Sequence, residues 1–241
     1  MIILFSDFGA AGPYTGQMRA VLARLAPGVP VVELFADAPA FDPRASAYLL
    51  AAYGAGFAPG SVFLAVVDPG VGGARRAVAP DTDGRWYVAP DNGLLALVAR
   101  RADVARWWRI TWRPDALSAS FHGRDLFAPV AARLALGEDP PGQREDGFQP
   151  TGCDWPDDLA EIVYLDHFGN AVSGLRAATL AADARLAVGE HTLIRARTFS
   201  DVPEGAAFWY ENANGLAELA VNGGRAAAEL GVAIGSKVKV I

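Results

Sequence analysis

A short apolar run that ends in an acidic, glycine-rich loop constrains the fold of this chain more than any other stretch. The run covers residues 62–67 and leads through Asp68 into the segment Pro-Gly-Val-Gly-Gly-Ala-Arg-Arg, which ends at Arg76. A continuous apolar run of this length is typical of a strand buried on both faces of a sheet. Glycines after such a strand let the backbone approach a ligand, because glycine has no Cβ atom and accepts positive φ. The same pattern also fits a tight structural turn followed by a solvated arginine pair.

Strand and helix patterns alternate through the first part of the chain. Strands are predicted at residues 2–5, 29–35, 62–67, 76–79, 86–89 and 105–112, and helices at about 14–25, 42–54, 94–101 and 126–136. This alternation predicts the α/β class, here an N-terminal α/β sandwich with a mostly parallel central sheet. Because the ends of parallel strands meet at one crevice, we expect Asp7, Asp68 and Asp91, which each follow a strand, to converge. Asp125 is predicted to cap the last of these helices.

The second part of the chain differs from the first in composition and in its pattern of predicted elements. Residues 138–158 are rich in Pro, Gly and acidic side chains, a composition typical of a connection between domains. We therefore predict an N-terminal domain at 1–143, a linker at 144–158 and a C-terminal domain at 159–241. Short strands are predicted at 160–165, 186–188, 192–197, 207–210, 216–220 and 237–241, with one short helix at 224–230. Short strands separated by turn signals predict a smaller β-barrel domain.

The composition argues against several classes of function. The 241 residues carry a formal net charge of −6 without a dense Lys and Arg cluster, which disfavours a nucleic-acid-binding surface because such binding depends on neutralising phosphates. The single cysteine, Cys153, excludes an intrachain disulfide and a zinc site built from several thiolates. No apolar run reaches the roughly 20 residues of a membrane-spanning helix, and no secretory leader is recognised. We therefore expect a cytoplasmic protein that binds neither nucleic acid nor a membrane.

Three side chains form the strongest candidate for a reacting centre. Asp68 supplies an acceptor, Arg75 a fixed cation and His122 a titratable ring in a short loop before a helix. Such a set suits the handling of a water molecule. The sequence contains no HExxH, GxxxxGK[ST], GxSxG or GxGxxG motif. Zinc proteases, P-loop NTPases, elbow-type serine hydrolases and dinucleotide-binding folds are therefore disfavoured.

Five segments together carry a family resemblance. They are SDFG at 6–9, VVDPGVGGARR at 66–76, VAPDNGLL at 88–95, FHGRDLFAPVAARLA at 121–135 and LDHFGNAVSG at 165–174. In this order they resemble the S-adenosyl-L-methionine hydroxide adenosyltransferase family, which is related to the fluorinase and chlorinase enzymes. The resemblance implies an α/β domain followed by a β-barrel domain, and a homotrimer with sites between subunits. It also implies hydrolysis of S-adenosyl-L-methionine to adenosine and L-methionine by attack of water at the ribose C5′, with no metal and no cofactor.

The resemblance also assigns residues to roles. Asp68, Arg75 and His122 become the catalytic set, while Asp7 is expected to hold the ribose hydroxyls. The other substrate-binding positions implied are Phe168 and Asn170 at the adenine, Asp166 at the methionine amine, Phe41 as an aromatic along the substrate, and Asn92, Gly123 and Asn214. The Asp68 carboxylate repels a halide by about 1 kcal/mol at 4 Å in water and about 4 kcal/mol at an effective dielectric near 20. Water is therefore the expected nucleophile.

The chain departs from the family pattern at three places. Gly12 stands where relatives often carry an acid, Ala213 where a serine is usual, and Ala36 where a histidine is frequent. The first two changes fall near the methionine end of the substrate. An alternative interpretation is therefore a non-catalytic protein that binds S-adenosyl-L-methionine or adenosine, although a sensor has no need of a water-activating group. A structural trimer without a ligand is a third interpretation, and it explains the strand-end acids and glycines poorly.

Overall fold

The chain divides into two units, Met1–Trp155 and Pro156–Ile241, in a computed structural model that describes all 241 residues. Residues 144–155 of the predicted linker lie in the first unit. Among the contacts that hold them there, the Thr151 N–H donates to Asp91 Oδ1 at 2.9 Å, and the Trp155 ring lies against Gly93. None of the helices is both long enough and apolar enough to cross a membrane.

The first unit contains one nine-stranded sheet and four helices. Its strands are β1 (Ile2–Ser6), β2 (Val31–Phe35), β3 (Val62–Val66), β4 (Ala77–Val78), β5 (Asp81–Thr82), β6 (Arg85–Pro90), β7 (Ala105–Arg106), β8 (Trp108–Ile110) and β9 (Gly142–Arg144). Its helices are α1 (Tyr14–Leu25), α2 (Pro43–Tyr53), α3 (Ala96–Arg101) and α4 (Ala128–Ala135), the last preceded by a π turn (Gly123–Phe127).

The sheet is mixed, with its parallel half forming the base of the candidate site. The main strand order is β2-β1-β3-β6-β4-β8-β9, and the pairs among β2, β1, β3 and β6 are parallel. From β6 onward the pairs β6–β4, β4–β8 and β8–β9 are antiparallel. The α/β class is confirmed. In the β1–β3 pair Ser6 lies opposite Val66, so the carboxyl ends of both strands reach the same edge.

Helix boundaries follow from local capping chemistry. The Asp42 side chain accepts a hydrogen bond from the Ala45 N–H at 2.9 Å, and α2 begins at the next residue, as predicted. The expected cap at Asp125 is wrong, because the helical turns begin earlier, at Gly123. The Asp125 carboxylate instead pairs with Arg124 and accepts from the Ser118 N–H at 3.0 Å. His122 therefore stands immediately before the first helical turn.

The second unit is a seven-stranded sheet that is nearly closed into a barrel. Its elements are β10 (Leu159–Leu165), β11 (Ala171–Arg176), β12 (Leu186–Val188), β13 (His191–Arg195), β14 (Ala207–Glu211), β15 (Leu216–Val221), β16 (Lys239–Val240) and helix α5 (Ala226–Glu229). The order is β10-β11-β15-β14-β13-β12-β16. A bridge between Glu161 and Lys237 places the residues just before β16 beside β10, while β16 itself pairs with β12. This agrees with the predicted barrel.

Strand β11 was not predicted, although it lies between β10 and β15. Its glycine, Gly174, weakens a strand pattern because it lacks a side chain to pack. In the structure that absence is required, since a Cβ atom at Gly174 would lie 2.7 Å from the Leu159 Cβ atom. The glycine thus permits a close approach of two paired strands.

Replacing Gly93 with alanine is expected to destabilise the first unit by about 3 kcal/mol. Gly93 has a φ of +100°, and an added Cβ atom would lie 2.2 Å from the Trp155 ring. Both backbone strain and overpacking therefore oppose the substitution. Urea unfolding measures the change. Gly56→Ala is the matched control, because its Cβ position has no heavy atom within 4 Å. Equal unfolding midpoints for the two variants would contradict the expectation.

Candidate active site

Asp68 and Arg75 form a nearly buried ion pair at the carboxyl end of β3. Arg75 Nε donates to Asp68 Oδ1 at 3.1 Å and to Oδ2 at 3.0 Å, and its Nη2 also donates to Oδ2. The two side chains are 11% and 5% exposed, respectively. Charge-assisted bonds made by a planar guanidinium fix both distance and orientation. The pair therefore holds a carboxylate in one geometry at the strand end.

His122 completes the predicted set of three. Arg75 Nη2 lies 2.9 Å from His122 Nδ1. A guanidinium can only donate, so Nδ1 must accept, and the neutral ring carries its proton on Nε2. Burial of the ring, followed by the positive charge of Arg75, lowers the pKa of His122. The geometry thus favours a neutral imidazole with an N–H donor at Nε2.

The candidate catalytic loop, residues 68–76, packs against the segment that leads to His122. Gly72 has a φ of +79°, and a Cβ atom there would lie 2.6 Å from the Ala119 carbonyl oxygen. Only glycine permits this approach at this backbone conformation. Behind the loop, the Arg75 guanidinium lies 5.2 Å from the centre of the Phe127 ring. These contacts bring two distant stretches of sequence to one place.

Asp7 and Phe41 lie together at the end of β1. The Phe41 N–H donates to Asp7 Oδ2 at 3.0 Å. Burial raises the pKa of Asp7, and the negative charge of Asp68 adds to the rise, against the hydrogen bond from Phe41. Phe41 is 77% exposed and has a φ of 59°, a strained conformation for a bulky residue. The first unit therefore presents a carboxylate beside an unpacked aromatic ring.

Asn92 and Gly123 also lie beside this set, engaged with the chain itself. Asn92 Nδ2 donates to the Val67 carbonyl at 2.8 Å, and its Oδ1 accepts from the Leu94 N–H at 3.3 Å. A Cβ atom at Gly123 would lie 3.2 Å from Met18 Sδ. The structure thus gives both residues a packing or bonding partner next to Asp68 and His122.

In the second unit, three predicted site residues line one cavity of about 550 Å³. They are Asp166, Phe168 and Asn170, and the other lining residues are Phe199, Tyr210, Val221, Gly223 and Gly224. Phe168 is 70% exposed, whereas Asn170 is buried. The Asp166 carboxylate accepts from the Asn170 N–H at 2.8 Å and from its Nδ2 at 3.2 Å. An aromatic face beside an oriented amide suits a flat, polar-edged ring.

The cavity includes aromatic residues that the sequence interpretation missed. Phe199 and Tyr210 stack edge to face, with ring centres 5.4 Å apart. The Tyr210 hydroxyl donates to the buried Glu218 at 2.5 Å, which fixes one wall of the cavity. No signal in the sequence separates these rings from ordinary core aromatics.

Asn214 is the predicted site residue that the structure places elsewhere within the second unit. It is exposed in the turn between β14 and β15, where its N–H donates to Asn212 Oδ1 at 3.0 Å. Val221, which lines the cavity, lies at the other end of β15. Asn214 is not among the lining residues.

Comparison with known proteins points to one family over nearly the whole chain. A model of the SAM hydroxide adenosyltransferase N-terminal domain matches residues 2–143, and a model of the C-terminal domain matches residues 160–239. A relative from Thermus thermophilus named (R)-S-adenosyl-L-methionine hydrolase is 42% identical, covering 100% of this chain and 99% of the relative. A protein of the same name from Salinispora arenicola is 40% identical, covering 98% and 95%.

More distant likeness extends to a protein named fluorinase and to solved structures. A protein from Nocardia brasiliensis named fluorinase is 23% identical, covering 100% of this chain and 96% of the relative. A crystal structure of an uncharacterized conserved protein from Thermotoga maritima is similar with a TM-score of 0.87 at 31% identity, covering 100% of this chain and 99% of that chain.

Proposed function

The chain belongs to the SAM hydroxide adenosyltransferase family, and on that premise we propose that it hydrolyses S-adenosyl-L-methionine to adenosine and L-methionine. The observation that carries the proposal is the contact of Arg75 with both Asp68 and His122. A carboxylate, a cation and a neutral imidazole held within hydrogen-bond distance form a centre that can orient and deprotonate water. The relatives named as hydrolases at about 40% identity support the same reaction.

The chemistry needs little beyond a positioned water molecule. The water oxygen forms a bond to C5′ while the C5′–S bond breaks, and the bonding pair goes to sulfur to give the neutral thioether of methionine. A sulfonium leaves without protonation, so orientation in line with the C5′–S bond is the main requirement. The proposed reaction therefore uses neither a metal nor a cofactor.

Asp68 is the proposed acceptor of the water proton. His122 Nδ1 is engaged by Arg75 and Nε2 already carries a proton, so neither ring nitrogen is free to accept. A carboxylate has about four acceptor positions, so Asp68 retains capacity beside its bonds to Arg75. In this assignment His122 donates from Nε2 to the water oxygen, and Arg75 keeps both partners in place.

The remaining predicted residues are proposed to bind the substrate. Asp7 has the acceptor oxygens that two ribose hydroxyls require, and Phe41 covers the substrate with an exposed ring. Adenine is proposed to stack on Phe168 in the cavity of the second unit, with the Asn170 amide at its edge. Asp166 remains the candidate for the methionine amine, and Asn214 remains a proposed substrate contact.

Assembly and location are further parts of the proposal. We propose a homotrimer with sites between subunits and no nucleic-acid or membrane partner, and a cytoplasmic protein, as the family resemblance and the single cysteine suggest. Light scattering with the purified protein tests the trimer.

The (R) sulfonium epimer is the proposed substrate, because the relatives' names specify it. The two epimers place the methyl and methionine groups differently around sulfur, so a site that binds both ends of the substrate aligns only one for in-line attack. We expect the (R) epimer to react at least about 10-fold faster than the (S) epimer. Chromatography of each epimer over time measures this, and equal rates would contradict the assignment.

The pH dependence should reflect a neutral His122. Its pKa lies below the ordinary value of 6.5, because burial and Arg75 disfavour the imidazolium. Protonation would also break the Arg75–Nδ1 contact. Activity that needs the neutral ring is therefore retained at 6.5 and lost as the pH falls through the lowered pKa. A plot of kcat/KM against pH should show an acid limb with its midpoint below 6.5, and a midpoint above 6.5 would contradict the assignment.

Product analysis tests the proposed function directly. Incubation of the purified protein with S-adenosyl-L-methionine should release adenosine and L-methionine in equal amounts, with repeated turnover. Substrate that binds but is recovered intact would instead support the non-catalytic binding protein.

A further inference from the structure

The turn Pro90–Gly93, between β6 and α3, contacts both ends of the catalytic loop. At the near end, Asn92 Nδ2 donates to the carbonyl of Val67 at 2.8 Å, one residue before Asp68. At the far end, Arg76 Nε donates to Asp91 Oδ2 at 2.7 Å, and the Asp91 N–H donates to the Arg76 carbonyl at 2.9 Å. Two neighbouring side chains of one turn thus hold the residue just before the loop, Val67, and the last residue of the loop, Arg76.

Between its two ends, the loop's backbone hydrogen bonds run from the Val71 N–H to the Asp68 carbonyl at 3.2 Å and from the Gly73 N–H to the Gly70 carbonyl at 3.0 Å, so they join loop residues only to each other. The middle of the loop meets the rest of the chain through the Arg75 side chain and the close approach of Gly72 to Ala119. Most of its residues are exposed to solvent. A glycine-rich segment of this kind has high conformational freedom unless its ends are fixed. The position of Arg75 therefore depends on its own contacts with Asp68 and His122 and also on how firmly the neighbouring Arg76 is held.

Arg76 is held by several groups at once. Its Nη2 donates to the Gln149 carbonyl at 3.1 Å, and its guanidinium lies 4.1 Å from the centre of the Phe148 ring. The Asp91 side chain is only 4% exposed, and its second oxygen accepts from the Thr151 N–H at 2.9 Å. A buried carboxylate with bonds on both oxygens anchors its arginine more firmly than a surface pair does.

We propose that Asp91 and Asn92 are positioning residues that clamp the catalytic loop and keep Arg75 aligned between Asp68 and His122. The proposal rests on the proposed function for its catalytic consequence. Both polar atoms of the Asn92 side chain bond the chain itself, which gives this residue a role in the loop's placement apart from any substrate contact. Asp91 acts through Arg76, the chain neighbour of Arg75.

Asp91→Asn is expected to lower kcat about 10-fold to 100-fold while KM changes less than about 3-fold. The amide keeps the size of the side chain and an acceptor for Thr151, but it removes the charge that holds Arg76. Arg76→Gln, which changes a side chain that is 41% exposed, should give the same kcat loss without a folding defect. Together the two substitutions should cost little more than either alone.

The pKa of His122 provides a second readout that general destabilisation does not move. Arg75 is one of the charges that lower it, alongside Arg113, whereas Asp68 and Asp125 raise it. If Arg75 moves away in Asp91→Asn, the pKa of His122 should rise toward 6.5. NMR titration of the imidazole signals measures this, and His122→Gln identifies the signal. Because the titration needs no substrate, it tests the clamp even if the wild-type protein releases no adenosine.

The control is Asp81→Asn, which removes another carboxylate paired with an arginine in the same unit. Asp81 pairs with Arg106 at 3.2 Å, away from the catalytic loop. This variant should keep the kcat, the KM and the His122 pKa of the wild type. Folded Asp91→Asn and Arg76→Gln proteins with unchanged kcat and unchanged His122 pKa would overturn the proposal. A rise in KM without a loss of kcat would overturn it in favour of a substrate contact.

Discussion

Asp68→Asn is expected to lower kcat about 1,000-fold with little change in KM. The substitution keeps the shape of the side chain but removes the proposed proton acceptor. An amide oxygen can still accept from Arg75, so the protein should remain folded. Single-turnover kinetics with saturating substrate measure the chemical step without interference from product release.

Asp81→Asn is the matched control for this substitution as well. It removes one negative charge from an ion pair in the same unit and should leave kcat within about 2-fold of the wild type. If Asp68→Asn retained a tenth or more of the wild-type kcat, Asp68 would not be the proton acceptor. A large rise in KM alone would instead make Asp68 a binding residue.

Arg75→Met is expected to lower kcat about 100-fold to 1,000-fold and to destabilise the first unit by about 3 kcal/mol. The thioether fills the space of the aliphatic stem but leaves the nearly buried Asp68 carboxylate without its cation. It also releases His122 Nδ1, so the pKa of His122 should rise. Steady-state kinetics and urea unfolding separate the two effects.

Arg75→Lys distinguishes charge from geometry. A lysine restores the positive charge, but its point-like ammonium cannot reproduce the fork that reaches both Asp68 and His122. Stability should therefore recover more than activity does. Arg106→Met, at a surface ion pair, should change neither quantity appreciably. A fully active Arg75→Lys protein would show that the bridging geometry is unimportant.

The sequence predicted the fold class because the apolar patterns are strong where both faces of a strand are buried. The runs at residues 2–5 and 62–67 became β1 and β3, whose residues are all buried. Strand β9 was missed because its three residues are exposed and carry no pattern. Strand β11 was missed because of its glycine. Such elements are fixed by partners distant in sequence, which local patterns do not reveal.

The predicted catalytic set could be found from sequence because its members occupy recognisable places. Asp68 follows a buried strand, and His122 precedes a helix; the structure brings both to Arg75. The tautomer of His122 could not be predicted, since it depends on which ring nitrogen meets the guanidinium. The partners of Asp91 and Asn92 could not be predicted either, because Arg76, Thr151 and Val67 contact them only in the folded chain.

Several features at the carboxyl end of β1 lower the stability of the folded state. Asp7 has a raised pKa, so its charged form is disfavoured in the folded state. The contribution of this group to the free energy of unfolding is therefore lost as the pH rises through that pKa. Phe41 combines a left-handed backbone with an exposed ring. Strained backbone and acids with raised pKa values of this kind cluster at functional sites. Their position beside Asp68 is consistent with the proposed site.

Hydrolysis in water enriched with oxygen-18, in a chloride buffer, tests the central claim most directly. If water attacks C5′, mass spectrometry should find the heavy oxygen in the 5′-hydroxyl of adenosine and none in L-methionine. Adenosine without the label would show that the oxygen does not come from water. Release of 5′-chloroadenosine, or recovery of S-adenosyl-L-methionine bound but intact, would contradict the hydrolase assignment itself.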